Sequence, residues 1–397
     1  MNSDPVELSF KLELKNRHRR WRTVKDRLFG WAMAVGGISV IITIVMIFFY
    51  LFYVVLPMLG SAKIEFGTSY DIPVERSEIA HLSLDEYAEV GFLITNNGFY
   101  KFFDANTGEV LKDGIIARGH ASSVVAVAAG APIHRSVILA LADGTAVIVR
   151  PDYAVSYPND KRKIAPSLTY PLGPTPINLG LDDSDRLTRV AVQTNSEETT
   201  IVAITDNNEM ILTHVTVEKS FSGDDDEVSV THSELPRVDF QVHMLLIDVA
   251  QRELFVASST GQINYFDILN KAEAKLVDVV NALTNGNELT TLESLSGGIS
   301  ILVGDSSGAI AQWFPVRDEN NNFSLQKVRS FPAFDFPVQN IVPEFFRKGF
   351  VATDAAGNVG LFHTTAGREL LVENLSTEPL RDLAISPRAD AILALTS

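Results

Sequence analysis

Residues Ile299–Phe314, ISILVGDSSGAIAQWF, contain the unit that decides the fold. Ile301–Val303 form an apolar run, Gly308 ends a short polar turn, and Trp313 is a large apolar residue five positions after that glycine. Two apolar runs joined by a polar turn with Gly are typical of a β-hairpin, because Gly adopts the positive φ that such turns need. The stretch therefore predicts two antiparallel strands.

The same unit recurs along the chain after residue 63. Four further copies keep the glycine and the apolar residue, and a sixth replaces the glycine by Asn207-Asn208. Successive turn glycines are 46, 117, 47 and 49 residues apart, and the Asn copy lies within the longest step. Paired strands with a period near 50 residues are typical of propeller blades, which have four strands in roughly 40–50 residues. The five glycine turns, with their apolar partners, are Gly98 with Phe103, Gly144 with Val149, Gly261 with Phe266, Gly308 with Trp313, and Gly357 with Phe362.

Another candidate strand precedes each hairpin, and a seventh copy begins at Leu380. That copy turns at Ser386-Pro387 and has its second strand at Ala391–Leu395. The pattern predicts an all-β propeller of six to seven blades, the last one incomplete. Either an early strand around Ile64–Phe66 closes the ring or the chain is a fragment, and we expect the fragment because one strand cannot replace two. The predicted inner strands include Ser123–Ala128, Thr188–Gln193, Gln241–Val249 and Gln339–Pro343.

A long uncharged segment precedes the repeats. Residues 28–62 contain no charged side chain, and Trp31–Val55 is almost wholly apolar. As a helix this stretch would be about 38 Å long at about 1.5 Å per residue, enough to cross a bilayer core of roughly 30 Å. Aromatic rings near both ends favour the membrane interface, and a proline ends the segment. The residues assigned to this single transmembrane α-helix are Trp31, Tyr50, Tyr53 and Pro57.

The basic residues at the N-terminus set the predicted orientation. The first 27 residues hold 8 Lys/Arg and 4 Asp/Glu, so the remaining chain holds 25 and 45. Positive residues beside a transmembrane helix stay in the cytoplasm, which in a bacterium places the rest of the chain in the periplasm. We therefore predict a basic cytoplasmic N-terminus over 1–27, a transmembrane helix over 28–60 and a periplasmic propeller over 61–397. The residues of the topology signal are Arg19, Arg20, Arg22, Lys25 and Arg27.

Two other interpretations of the apolar segment stay open. A cleavable signal peptide has an apolar region of about 7–15 residues, shorter than this one, although Gly60-Ser61-Ala62 resembles a cleavage site. The core helix of a soluble protein rarely reaches this length without a polar face. An uncleaved anchor accounts best for the length, the flanking charge and the aromatic ends.

The chain resembles two known groups of proteins. Gly119-His120 followed by SSVVAV, together with Phe103-Asp104 and Phe266-Asp267 at strand ends, is similar to degenerate WD40-type repeats. The start RWRTVKDRLFGW, followed later by LVGDSSGAIAQWF and RKGFVATDAAGNVGL, resembles the long form of the phosphate-specific ABC transporter permease of proteobacteria. This second resemblance covers essentially the whole chain.

The transporter resemblance implies a WD40-like periplasmic domain between the first transmembrane helix and a multi-helix permease core. The core would follow Ser397, so we expect the chain to be truncated before it and to carry no coupling residue. The implied partners are a second permease subunit, a cytoplasmic ATPase and a periplasmic phosphate-binding protein. The implied role is docking or regulation in phosphate uptake at the bacterial inner membrane.

Composition and motifs argue against several other functions. The formal net charge is −16, which is unfavourable for nucleic-acid binding. The absence of Cys excludes disulfides, thiolate metal sites and cysteine nucleophiles. The chain has no G-x-x-x-x-G-K-[ST], G-x-G-x-x-G or H-E-x-x-H motif, and its eight His form no i, i+4 pair. We predict a non-enzymatic chain without cofactor or metal, with its His residues in loops or at strand ends.

Several short motifs have two interpretations each. The run Asp224–Glu227 is a solvated loop or a calcium site, although it lacks the alternating ligand spacing of calcium loops. Lys161–Lys163 and Arg347-Lys348 are surface charges or contacts for a phosphate or an acidic partner. The clustered phenylalanines pack between blades or form a protein interface; they are Phe331, Phe334, Phe336, Phe345 and Phe346.

Two functions from different classes therefore compete. The first is the transport subunit just described. The second is a self-contained, membrane-anchored propeller that acts as a scaffold in envelope protein assembly. An enzymatic propeller is third, because such enzymes need clustered acids, metal ligands or repeated Trp motifs.

Overall fold

The computed structural model describes residues 5–56, 63–74, 78–116, 122–182, 185–218, 227–284, 286–320, 322–346 and 348–396, without the side chains of 5–20, 218 and 227. The chain divides into two compact units, Met1–Lys63 and Ile64–Ser397. Several residues singled out above lie outside the described residues. They are Pro57, Gly60-Ser61-Ala62, Gly119-His120, Asp224 to Asp226 and Arg347.

The first unit is one helix, α1 (Pro5–Val55). It begins well before the predicted segment, so the basic residues continue the apolar helix. Its stretch Trp21–Val55 is 35 residues long and apolar enough to cross a membrane. The hydroxyls of Ser39 and Thr43 each donate to a backbone carbonyl of the preceding turn at 2.8 Å, which satisfies them without water. Arg22, Lys25, Arg27, Trp31, Tyr50 and Tyr53 are exposed on this helix, while the side chains of Arg19 and Arg20 are not described.

The second unit is a WD40-like β-propeller. Its described residues form six sheets in which four sequential strands pair antiparallel, each with its neighbour in the chain, and β9 adds to the third strand of the second blade. A two-stranded seventh sheet follows them. The strands of blades 1 to 3 are β1 (Ile79–Leu84), β2 (Val90–Thr95), β3 (Phe99–Asp104), β4 (Val110–Ile115); β5 (Val124–Ala129), β6 (Val137–Leu141), β7 (Thr145–Ser156), β8 (Lys163–Thr169), β9 (Ile177–Asn178); and β10 (Leu187–Thr194), β11 (Glu198–Thr205), β12 (Met210–Glu218), β13 (Glu227–Glu234).

Blades 4 to 6 repeat the same order. Their strands are β14 (Val242–Ile247), β15 (Glu253–Ser258), β16 (Gln262–Asp267), β17 (Lys275–Asn281); β18 (Leu289–Ser294), β19 (Ile301–Asp305), β20 (Ile310–Arg317), β21 (Phe323–Ser330); and β22 (Val338–Pro343), β23 (Gly349–Asp354), β24 (Asn358–His363), β25 (Arg368–Asn374). The seventh sheet consists of β26 (Leu380–Ile385) and β27 (Ile392–Thr396). The prediction of six to seven blades with an incomplete last one is confirmed.

The turns between the second and third strands have the geometry that their sequences favour. At each turn a backbone N–H donates to the carbonyl three residues earlier, for instance Gly308 to Asp305 at 3.1 Å and Asn208 to Thr205 at 3.1 Å. The third strand then buries its large apolar residue, such as Phe103 or Phe362, against the neighbouring blade. The residues with positive φ at these turns are Gly98, Gly144, Asn208, Gly261, Gly308 and Gly357.

The seven inner strands form a closed ring. The strand β26 of the seventh sheet lies between β22 of blade 6 and β1 of blade 1. Seven apolar clusters fill the seven boundaries between neighbouring sheets, and two of these clusters flank the seventh sheet. The carboxylate of Asp382 in β26 accepts an N–H bond from Leu82 in β1, which ties the two ends of the ring together.

The predicted early strand around Ile64–Phe66 is wrong. Residues 63–74 form no strand, because Gly67 and Pro73 interrupt any regular pairing. Instead the segment 64–74, which we name the clasp, packs Ile64 into the cluster on one face of the seventh sheet and Tyr70 into the cluster on the other. The Tyr70 hydroxyl donates to the Ala105 carbonyl at 2.8 Å. The clasp therefore joins the seventh sheet to blade 1 without a shared strand.

Candidate docking face

The turns that join the first and second strands of each blade lie on one face of the propeller; we call these the inner turns. Neighbouring inner turns touch each other around the ring. Gly298 in blade 5 lies against Val249 in blade 4, and the Ser296 hydroxyl donates to the Glu344 carbonyl in blade 6. These contacts hold the turns in a fixed arrangement, which is what a binding surface requires.

Local sequence fixes the shape of the inner turns. Asp85 accepts N–H bonds from three later residues, at 2.9 Å from Tyr87 and 2.7 Å from Glu89 and Val90. Asp248 does the same in blade 4, and the Ser386 hydroxyl has a similar role in the seventh sheet. The equivalent residue of each turn has positive φ although none is glycine; these residues are Ala88, Gln251 and Ala389.

Two large apolar side chains protrude from adjacent inner turns. Phe346 in blade 6 is 75% exposed and Ile299 in blade 5 is 62% exposed. The rings of Phe345 and Phe346 lie 6.2 Å apart, and Phe345 is half-buried. The prediction that the phenylalanine cluster packs between blades is therefore correct for Phe331 and Phe334, which are buried. It is wrong for Phe346 and for Phe336, which is exposed.

The same turns expose few acidic groups. In the described inner turns of blades 4 to 7, the exposed charged side chains are Arg252, Lys348, Arg388 and Asp390. The two other carboxylates of these turns, Asp248 and Glu344, are buried. This three-to-one excess of cations contrasts with the 25 bases and 45 acids of the whole chain after residue 27. We use the name arc for the surface formed by the inner turns of blades 4 to 7, which lie between residues 248 and 390 of the chain.

Beside the arc, Tyr87 of blade 1 lies between two arginines. The guanidinium of Arg162 is 4.1 Å from its ring centroid and that of Arg388 is 4.5 Å from it. Arg162 also donates to Glu89 at 2.9 Å, and Arg388 pairs with Glu86 at 3.3 Å. The prediction for the basic triplet at 161–163 is surface charge or a contact for a phosphate or an acidic partner. All three residues are exposed in the structure, and Arg162 in addition contacts Tyr87 and Glu89.

The inner strands carry titratable groups whose pKa values are displaced. Burial raises the pKa of Glu293 in β18 to about 7, and the carboxylate of Asp382 adds to this shift. Burial likewise raises the pKa of Asp382 to about 6. Burial lowers the pKa of His81 in β1 to about 4, where its ring packs against Phe92 at 6.4 Å. His81 lies inside a strand, as do His214 and His232, so the prediction of loop or strand-end histidines is wrong for them.

A second cluster of polar side chains lies around the start of β15. The Tyr265 hydroxyl donates to Glu253 at 2.7 Å, and burial raises the pKa of that carboxyl to about 7. The ammonium of Lys271 donates to the carbonyls of Gln251 and Ile268, the latter at 3.0 Å. These hydrogen bonds lie within the blade and stabilise the inner turn of blade 4.

Two kinds of catalytic site, a metal centre and a serine nucleophile, can be compared with the structure. Within the described ranges, no group of three or more His, Asp or Glu side chains has the geometry to hold a metal ion. The letters GDSSG at 304–308 fit the G-x-S-x-G pattern of a serine-hydrolase elbow. However, Ser306 lies in the hairpin turn between β19 and β20, and its hydroxyl oxygen accepts the Glu288 N–H at 2.9 Å. An elbow needs a strand followed by a helix, so this match is coincidental.

Comparison with known proteins supports the fold alone. No family model matches the chain, and no curated protein matches it. A crystal structure of the β-propeller domain of Cps50 (Swd1) from Myceliophteria thermophila is similar, with a TM-score of 0.53 and 11% sequence identity. The match covers 85% of this chain and 96% of that one. The resemblance to phosphate-import permeases remains a prediction.

Proposed function

We propose that this chain is a membrane-anchored, non-catalytic propeller that docks other proteins. The observation that carries the proposal is the connection of two units: a helix whose 35-residue stretch Trp21–Val55 is apolar enough to cross a membrane, and a propeller whose inner turns expose Phe346 and Ile299. Eight residues separate Val55 from Ile64, so a helix in the bilayer would tether the propeller to the membrane. Rigid propeller faces present broad surfaces for protein contacts.

The finer proposal is that the propeller belongs to an ABC-type phosphate-import permease, with its bulk in the bacterial periplasm. The order of a basic N-terminus, one apolar helix and a WD40-like propeller supports it through the sequence resemblance. The proposed partners are a second permease subunit, a cytoplasmic ATPase and a periplasmic phosphate-binding protein. ATP hydrolysis then belongs to the separate ATPase, because the chain has no nucleotide-binding loop.

Two measurements test the membrane anchor and the phosphate-transport assignment separately. For the anchor, Ile44→Arg places a charge in the middle of the apolar stretch, which costs roughly 2.5–3.5 kcal/mol of insertion free energy. We expect the variant protein to shift from the membrane pellet to the carbonate-soluble fraction, and Val125→Arg on the propeller surface to leave it in the pellet.

For transport, deletion of the gene should reduce uptake of radiolabelled phosphate at limiting concentration. Unchanged uptake would remove the phosphate assignment and favour the envelope scaffold.

A further inference from the structure

The arc combines features that are separately common but together point to a binding surface. Single exposed apolar residues are ordinary on protein surfaces, whereas adjacent large ones on one face mark interaction sites. Phe346 and Ile299 are exposed on turns that touch each other, with Phe345 half-buried beside them. Large apolar side chains at the centre of a surface contribute most of the binding energy of many interfaces.

Described contacts link the turns that carry these side chains to their neighbours. The Ser296 hydroxyl bonds to the Glu344 carbonyl, and Gly298 is 3.2 Å from Val249 across the next boundary, measured from the position of its missing Cβ. The Glu344 N–H also donates to the Gly349 carbonyl at 3.0 Å, which closes the turn below Phe346. A surface that is already ordered loses little conformational entropy when a partner binds.

The charges of the arc favour a partner segment with a negative net charge. An acidic segment is repelled by most of a propeller that has 45 acids and 24 bases. On the arc it meets Arg252 and Lys348, beside Arg388, which is paired with Glu86 of blade 1, and a single exposed carboxylate, Asp390. Asp248 and Glu344 are buried beneath the surface. Complementary charge at the edge of an apolar patch gives specificity and faster association.

We propose that the arc is a docking surface for an acidic segment of a partner protein that carries a large apolar side chain. The apolar side chain packs against Phe346 and Ile299, and carboxylates of the segment face Arg252 and Lys348. This inference rests on the proposed docking function and adds to it the location of the surface and the chemistry of the partner. It does not depend on the phosphate assignment.

Site-specific photocrosslinking in membranes of the native host tests the proposal on the full chain. The probe is p-benzoylphenylalanine, placed in turn at positions 299 and 346, and at 66 as the control. Phe66 is 71% exposed and lies in the clasp, which is not one of the inner turns that form the arc. Crosslinked segments are identified by mass spectrometry, and thermal melting confirms that each labelled chain is folded.

We expect positions 299 and 346 to label the same segment of one partner protein, with more Asp and Glu than Lys and Arg, and position 66 to label it at least fivefold less. Charge reversal by Arg252→Glu with Lys348→Glu should lower the yield at least fivefold, whereas Lys327→Glu on β21 should not. Lipid adducts, a basic segment, equal labelling from position 66 or insensitivity to charge reversal would each overturn the proposal. If phosphate uptake is independent of the gene while this labelling pattern holds, only the transport assignment fails.

Discussion

The guanidinium of Arg388 in the seventh sheet lies 4.5 Å from the ring centroid of Tyr87 in blade 1. The last sheet has two described strands and contacts blade 1 through side chains and the clasp. Arg162 of blade 2 covers the same ring at 4.1 Å. One tyrosine thereby connects three consecutive sheets across the closure point.

Replacing the Tyr87 ring should weaken this closure. Tyr87→Leu keeps apolar volume but removes both cation–π contacts, each worth about 0.5–1 kcal/mol at a partly exposed site. We expect the free energy of unfolding to fall by about 1–2 kcal/mol in urea titrations. Tyr157→Leu, at a tyrosine that is 62% exposed, is the control and should change it by less than about 0.5 kcal/mol. Equal effects of the two substitutions would show that Tyr87 does not contribute through its arginine contacts.

The turn glycines offer a second test, because space and backbone conformation can be separated. Gly308 and Gly173 both have φ +85, but a Cβ at Gly308 would lie 2.7 Å from the Phe336 carbonyl oxygen and nearer still to that of Phe334. At Gly173 nothing lies within 4 Å. Gly173→Ala should therefore cost about 1 kcal/mol from the backbone alone, and Gly308→Ala about 2–4 kcal/mol. Similar losses in denaturant titrations would mean that the backbone at Gly308 relaxes around the added methyl group.

Local signals in the sequence were sufficient for the hairpins but not for the closure. Each turn glycine acts through its own φ, so the period of strands is visible without any tertiary contact. Arg388 and Tyr87 are distant in sequence, and no local pattern predicts that they meet. The positive φ at Ala88 and Gln251 also has no glycine to reveal it, and depends on bonds to Asp85 and Asp248.

The candidate surface was only partly predictable for the same reason. The sequence shows that Phe345 and Phe346 are adjacent. The alternation of apolar and polar residues, however, cannot distinguish a buried pair of phenylalanines from a pair in a turn. Exposure of Phe346 follows from its position in the inner turn of blade 6, before β23 begins at Gly349. Ile299 becomes its neighbour through the ring, because the inner turns of blades 5 and 6 touch.

Opposite pH dependences are expected from two inner-strand residues. Burial raises the pKa of Glu293 from its ordinary 4.5 to about 7, so the folded chain holds a proton that the unfolded chain releases. The stability from this group is present below pH 4.5 and is lost as pH rises through 7. Between pH 4 and pH 8, the free energy of unfolding of Glu293→Gln should therefore rise by roughly 2–3 kcal/mol relative to that of the parent chain.

His81 provides the matched case of opposite sign. Burial lowers its pKa from 6.5 to about 4, so its contribution is present above pH 6.5 and is lost as pH falls through 4. His81→Gln should accordingly gain stability over the parent chain as pH falls, in urea titrations at pH 4, 6 and 8. Parallel pH curves for both variants and the parent would show that neither group is buried as described.

The clasp should stabilise the seventh sheet more than any distant blade. Tyr70 packs edge-on against Phe103 with ring centroids 6.4 Å apart, and its hydroxyl donates to Ala105. Tyr70→Ala removes this ring and its hydrogen bond, so we expect a loss of about 3 kcal/mol in the free energy of unfolding. Amide hydrogen exchange should accelerate in β26 and β27 before it does in blade 4, because the flank of the seventh sheet is opened locally.

A matched substitution in the same segment separates the clasp contact from a general loss of fold. Phe66→Ala removes an aromatic ring that is exposed, so both stability and exchange in β26 and β27 should stay at parent values. If Tyr70→Ala accelerates exchange uniformly in all blades, the propeller unfolds as one unit and the clasp has no separate role. If exchange rises in the seventh sheet alone, Tyr70 holds the ring closed where the blades lack a shared strand.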